Sequence, residues 1–190
     1  MRIHGRGGQG VVTAAELLSV AAFDEGRHAQ AFPTFGSERT GAPVVSFCRI
    51  AEAPIRLREP ITEPDALIVG DATLIHQVDL FAGIGPDAYV LVNSARDLES
   101  LGISELGERI RRERLVTVPA TAIARDQLGR PLPNAALLGA FAALTGVVSL
   151  EAVTGAIRAR FHGEIGERNV AAAGAAADHM RRTHEVLAGA

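Results

Sequence analysis

Apolar positions along the chain fall into a strand–helix rhythm. Three short, largely apolar runs stand out: Ala66-Leu67-Ile68-Val69, Tyr89-Val90-Leu91-Val92 and Leu115-Val116-Thr117-Val118. Runs of this length suit strands of a parallel sheet, buried on both faces. A fourth strand, Arg2-Ile3-His4, feeds the glycine-rich string Gly5–Gly10, and Val11 to Phe23 then reads as a helix closed by Gly26. Arg27 to Phe32 reads as a strand and Pro33 to Pro43 as a loop. Val44 to Ile50 is β-rich, and its pairing with Ile55–Leu57 across Glu52-Ala53 would make a hairpin.

Thr73 to Phe81 and Glu105 to Arg112 are expected as helices. Asn134 is the expected N-cap of an apolar helix running to Val148, and Ser149 of the next. Gly166 to Leu187 is Ala-rich and reads as a long helix whose small residues, Ala171–Ala177 with Gly174, permit close packing. Strands alternating with helices indicate an α/β layered fold with a mainly parallel sheet. With no linker, repeat or low-complexity tract, residues 1–190 form one domain.

Composition narrows the function. The 190 residues are 47% hydrophobic and 22% charged, with a net charge of −3, which leaves no electrostatic footprint for nucleic acid. Aromatics are only 4% with no Trp, so base stacking is poorly served and no nucleic-acid partner is expected. The single cysteine, Cys48, excludes an internal disulfide and argues against an iron–sulfur cluster or thiolate zinc site on this chain. Pro131 to Leu150 carries no charge, but its unbroken apolar part spans roughly 16 residues, short of the ~20 that cross a bilayer. No membrane span is expected. The first strand begins at Arg2 with no signal peptide visible, so the expected compartment is the cytoplasm.

Gly5-Arg6-Gly7-Gly8-Gln9-Gly10 satisfies G-x-G-x-x-G through Gly5, Gly7 and Gly10. Such a turn lets backbone approach closely and offers N–H groups at a helix N-terminus to an anion. A dinucleotide fingerprint also needs an acid about 20 residues on, at the end of the second strand. That strand ends Gln30-Ala31-Phe32-Pro33, which disfavours NAD and leaves either another anion or a purely packing role for the turn. The P-loop ending Gly-Lys-Ser/Thr is missing, and lysine is absent: all 19 basic residues are arginine, so no Schiff base can form.

Gly70-Asp71-Ala72 only begins like a thiamine diphosphate signature, and Asp71 reads as a strand-end or capping residue. Glu38 and Arg39 sit side by side between Pro33, Gly36, Gly41 and Pro43, either as an internal ion pair or as an anion-binding or subunit-docking loop. The six histidines form no metal-binding spacing, and Ser19, Ser37 and Ser46 lie outside any nucleophile-elbow context.

Two strings together carry a resemblance. Gly5-Arg6-Gly7-Gly8-Gln9-Gly10 through Leu18, and Phe32-Pro33-Thr34-Phe35-Gly36-Ser37-Glu38-Arg39-Thr40-Gly41-Ala42-Pro43-Val44, resemble the two N-terminal motifs of gamma subunits of 2-oxoacid:ferredoxin oxidoreductases. Pro64–Val69, Val92-Asn93, Asn134–Gly139 and Asn169 extend the similarity over nearly the whole chain.

The resemblance implies a Rossmann-like three-layer α/β domain with a mainly parallel sheet and a β-hairpin. It implies a complex that converts a 2-oxoacid to acyl-CoA and CO2, with electrons passed to ferredoxin or, through a flavin subunit, to NAD. Thiamine diphosphate and Mg are expected on alpha and beta subunits, and [4Fe-4S] clusters on a ferredoxin-like delta subunit. On this reading the chain is inactive alone, carries no catalytic or metal-binding residue, and assists assembly and coenzyme A access. Gly5, Gly7, Gly8, Gln9 and Gly10 would offer backbone amides to a coenzyme A phosphate or a neighbouring subunit. Glu38 and Arg39 would fix the second loop beside them, and Asn134 would place a helix N-terminus there. The competing readings are a stand-alone nucleotide-binding Rossmann oxidoreductase and a purely structural subunit.

Overall fold

A computed structural model describes residues 1–34 and 41–188. Its centre is a six-stranded sheet of β1 (Arg2–Arg6), β2 (His28–Pro33), β3 (Pro43–Ala51), β4 (Ala66–Val69), β5 (Tyr89–Asn93) and β6 (Leu115–Val118), in the order β2-β3-β1-β4-β5-β6. From β1 outward through β4, β5 and β6 every pairing is parallel, with registers such as Ile3↔Ile68 and Leu67↔Val90. On the other side β3 runs antiparallel to both β1 and β2.

The apolar runs behave as buried parallel strands should. Ile3, Ile68, Leu91 and Val116 face one side of the sheet, and Leu67, Val69, Val90, Val92 and Leu115 the other, all nearly solvent-free. The first side is covered by five helices: α1 (Val11–Asp24), α3 (Ala120–Leu128), α4 (Asn134–Thr145), α5 (Leu150–Arg160) and α6 (Gly163–Ala188). α1 buries Val11, Ala14, Ala15, Leu17, Leu18, Ala21 and Ala22, one face at helical spacing, and stops where Gly26 turns to φ +81°. Ser149 caps α5 as expected, its hydroxyl accepting from Ala152 N–H at 3.0 Å. α4 packs on β5 beneath α6, which explains why a helix can be apolar all round: its covers belong to its own domain. Ala172, Ala173, Ala176 and Ala177 of α6 close over it, buried completely.

Four expected elements differ. The partner of β3 is β2, from His28↔Ala51 to Pro33↔Ser46, and Ile55–Leu57 forms no strand. The hairpin therefore spans the second motif rather than Glu52-Ala53. Thr73 to Phe81 is not an α-helix but a 3₁₀ turn, Ala72–His76, followed by irregular chain. The Arg2 guanidinium, buried under this segment, donates to the carbonyls of Leu80 at 2.9 Å and Ala82 at 2.6 Å, which ties the irregular chain after the 3₁₀ turn to β1. The third helix, α2, covers only Leu106–Arg109, because Ile110 turns extended (φ −117°, ψ 140°) to bury its side chain. Asn134 is the first residue of α4 rather than its cap; Pro133 stands at the cap position with helical backbone angles. The 3₁₀ turn, α2 and the chain around them form the third layer, over Leu67, Val69, Val90 and Val92. Among the described residues no helix is long and apolar enough to cross a membrane.

Candidate functional site

The ends of the parallel strands carry the chemistry. The turn after β1, the turn after β4, the end of β5 and the start of α3 surround an open cleft of about 670 Å³. It lies where β1 meets antiparallel β3 on one side and parallel β4 on the other, at the carboxyl ends where open α/β sheets bind ligands.

Gly7, Gly8 and Gln9 of the glycine turn form one wall. Gly5 is buried within β1, and a Cβ there would lie 2.6 Å from Val11 Cγ2. Arg6 to Gln9 make a tight turn, closed by Gln9 N–H donating to Arg6 O at 3.0 Å, with Gly8 at φ +93° in its third position as a type II turn demands. Gly10 adopts φ +75° at the start of α1, and a Cβ on it would lie 2.7 Å from Asn134 Nδ2. Asn134 thus sits behind the turn as packing for Gly10.

Not every amide of the turn is free. Gly7 N–H donates to Ala42 O at 2.9 Å and Gln9 N–H is spent on Arg6 O. Gly8, Gly10 and the first-turn residues Val11, Val12 and Thr13 are left with N–H groups that have no acceptor among the described residues. These amides and the dipole of α1 make the glycine turn favourable for negative charge, and Gly8 among them lines the cleft.

The side chain of Gln9 turns inward. Its Oε1 accepts from Arg6 N–H at 2.8 Å and its Nε2 donates to Asp71 Oδ2 at 2.8 Å. Asp71 also caps the 3₁₀ turn, accepting from Thr73 N–H at 2.9 Å and Thr73 Oγ1 at 2.6 Å, and pairs with Arg6 Nε at 3.2 Å. Burial alone would raise the Asp71 carboxyl, but hydrogen bonds from Thr73 and Gln9 and the Arg6 charge outweigh it, so Asp71 lies below the usual carboxylate range. The strand-end and capping role expected of Asp71 is what these bonds perform.

Asn93, at the end of β5, donates to Gly70 O at 2.8 Å and accepts from Thr121 N–H at 3.1 Å, capping α3 from a neighbouring strand. Arg96 stands exposed on the opposite rim, after Ser94. Pro131 to Pro133, leading into α4, complete the wall.

Glu38 and Arg39 lie outside the described residues. The ends of their loop are nonetheless fixed to the site: Gly7 and Gly41–Ala42 exchange two backbone bonds, at 2.9 and 3.2 Å, and Thr34 N–H donates to Val45 O at 3.0 Å. The sequence had marked neither Arg6, Thr73 and Gln77 nor Arg96 as site residues. Arg6 occupies a variable position of the glycine motif and its partners lie far along the chain, so no local pattern announces it.

The groups that line the cleft can bind and orient an anion. Cys48 is buried and its thiol pushed up to about 12 by that burial, which makes it inert. Among the described residues no three His, Cys, Asp or Glu side chains cluster as a metal site. The topology also disfavours a dinucleotide: β2 is separated from β1 by β3, so the end of the second strand is not beside the glycine turn where a ribose-binding acid must stand.

Comparison with known proteins agrees. The model of the family described as pyruvate ferredoxin/flavodoxin oxidoreductase matches residues 1–179. The chain is 49% identical to the pyruvate/ketoisovalerate oxidoreductases common subunit gamma of Pyrococcus abyssi, over 91% of this chain and 92% of that protein. It is 51% identical to the pyruvate synthase subunit PorC of Methanosarcina barkeri, over 84% of each. The crystal structure of the pyruvate oxidoreductase subunit PORC from Thermotoga maritima superposes with a TM-score of 0.78 at 34% identity, over 93% of both chains. With its fold, glycine turn and near full-length similarity in agreement, this chain belongs to the pyruvate ferredoxin/flavodoxin oxidoreductase family, among the gamma-type subunits.

Proposed function

We propose that this chain is the gamma subunit of a cytoplasmic 2-oxoacid oxidoreductase complex, where it supports assembly and lends its carboxyl-end cleft to coenzyme A. The reaction of such a complex takes a 2-oxoacid and coenzyme A to acyl-CoA and CO2, releasing two electrons and a proton. Ferredoxin, or NAD reached through a flavin subunit, accepts the electrons. The observation that carries the reading is the glycine turn on the cleft wall, where the Gly8 amide has no acceptor among the described residues and Arg96 lines the same cleft, next to the N-terminus of α1. A phosphate-bearing ligand fits that donor set.

Thiamine diphosphate and iron–sulfur clusters do not fit this chain. Its one cysteine is buried, and Asp71, the one acidic residue matching the start of a thiamine diphosphate signature, is hydrogen-bonded to Thr73 and Gln9 and paired with Arg6. Those groups belong on alpha, beta and delta partners. The gamma chain therefore contributes no electron-transfer or decarboxylating group. It binds, orients, and completes the assembly.

The test is anaerobic purification of the chain from its source with whatever accompanies it. Brown multi-subunit material, bleached by one member of a 2-oxoacid panel and turned over only with coenzyme A, is the expected result. A colourless single chain that binds NAD(P) would overturn it. Gly8→Val, which forces a branched residue into φ +93°, should raise the KM for coenzyme A while leaving the KM for the 2-oxoacid unchanged.

A further inference from the structure

We propose that Arg6 is the positioning residue of this cleft: it clamps the glycine turn to the end of the second motif and to the 3₁₀ turn after β4. The inference rests on the coenzyme A reading above. Arg6 leaves β1 on the face opposite α1, and its guanidinium reaches two distant chain segments at once. Nη1 donates to Gly41 O at 3.0 Å, two residues before β3 begins at Pro43. Nη2 donates to Thr73 Oγ1 at 2.7 Å and Gln77 Oε1 at 2.9 Å. Nε lies 3.2 Å from Asp71 Oδ2 and 3.3 Å from Thr73 Oγ1.

The contacts close two rings. In the first, Arg6 N–H donates to Gln9 Oε1, Gln9 Nε2 donates to Asp71 Oδ2, and Asp71 returns to Arg6 Nε. In the second, the Gly7–Ala42 and Gly41–Gly7 backbone bonds continue the β1–β3 ladder past the Arg6↔Pro43 pair, and Arg6 Nη1 bonds to Gly41 on the same strip. An isolated exposed ion pair would contribute little. A rigid planar fork with donors committed to four side-chain and backbone acceptors is a different case, because one ordered side chain satisfies several bonds. What it fixes is the plane of the Arg6–Gln9 turn, and with it the direction of the Gly8 and Gly10 amides. Lysine, with one point charge, cannot reach Gly41, Thr73 and Gln77 together.

The experiment uses the assembled complex carrying Arg6→Gln, Arg6→Lys or Gly8→Val in this subunit. Arg6→Gln should raise the KM for coenzyme A by about tenfold, the order expected for losing charge-assisted bonds. The kcat, the KM for the 2-oxoacid and subunit stoichiometry should stay as in the wild type. Arg6→Lys should recover only part of the loss, and Thr73→Ala should add little on top of Arg6→Gln because both cut the same network. Native hydrogen exchange at the Gly7 and Gly41 amides should quicken in Arg6→Gln.

If Arg6→Gln lowers every kinetic parameter together with Tm, or leaves both the KM for coenzyme A and the two exchange rates unchanged, the positioning role is wrong. If Gly8→Val also leaves the KM for coenzyme A unchanged while Arg6→Gln quickens exchange, the clamp stands and the coenzyme A assignment fails. If Gly8→Val raises that KM and Arg6→Gln does not, the assignment stands and the clamp is overturned.

Discussion

Gly139 tests the packing of the helical layer with two opposed effects of known sign. It lies in the middle of α4, where replacing glycine by alanine normally stabilises a helix by about 1 kcal/mol. Here α6 crosses directly over it. A Cβ on Gly139 would lie 2.5 Å from the carbonyl carbon and 2.6 Å from the Cα of Ala173, and closer still to the carbonyl oxygen. Ordinary contact begins near 3.4 Å, so α6 would have to retreat by about 1 Å along a buried face that includes Ala172, Ala176 and Met180. Overpacking of this kind costs ~1–3 kcal/mol, and a backbone neighbour places it at the upper end.

Gly139→Ala should therefore be net destabilising by about 2 kcal/mol, a fall in Tm of about 4–8 °C for a domain of this size. The controls are Gly155 in α5 and Gly174 in α6, where a Cβ meets nothing within 4 Å. Gly155→Ala and Gly174→Ala should raise stability by about 0.5–1 kcal/mol each. Urea unfolding of the three purified variants measures the difference. A Gly139→Ala chain as stable as Gly174→Ala would refute the close α4–α6 crossing.

Three further outcomes follow from single contacts. His4 is neutral in the fold, its imidazole lowered from 6.5 to about 4 first by burial and then by the nearby Arg2 charge, and its Nε2 has no partner among the described residues. Because the folded value lies below the unfolded one, the fold is fully favoured above pH 6.5 and loses up to about 3 kcal/mol as pH falls from 6.5 through 4. His4→Leu should flatten that slope relative to wild type in unfolding curves between those pH values; an unchanged slope would assign the pH dependence elsewhere. Asn93→Ala strips Gly70 O and Thr121 N–H of their partner and should cost about 2 kcal/mol, read as a lower urea midpoint at constant m. Ser149→Ala removes the N-cap of α5 and should cost about 1 kcal/mol, whereas Ser149→Asp should retain most of it.

The chain by itself determined whatever depends on neighbours in sequence. β4, β5 and β6 were legible because a strand buried on both faces is apolar almost throughout: Ala66–Val69 and Val90–Val92 are wholly so, and Leu115–Val118 is interrupted only by half-buried Thr117. The glycine turn, α1 with its Gly26 stop and the Ser149 cap were legible because each is a local backbone demand met by a particular residue type. The paired motifs also carried the family.

What the tertiary structure alone decided is how distant segments meet. Pairing β3 with β2 instead of Ile55–Leu57 rests on register across the sheet, which β-rich stretches do not encode singly. Thr73 to Phe81 had the composition of a helix, but the folded chain makes it a 3₁₀ turn and an irregular segment fastened by Arg2, 78 and 80 residues from the Leu80 and Ala82 carbonyls it binds. Asn134 had the chemistry of a cap, yet its side chain packs on Gly10. Arg6 looked like the unspecified residue of a glycine motif, and only the folded chain brought Gly41, Asp71, Thr73 and Gln77 to its guanidinium. The reason is common to all four: a side chain's partner is chosen by where the sheet order and helix packing deliver other segments, and that choice overrides local propensity wherever a buried or charged group must be satisfied.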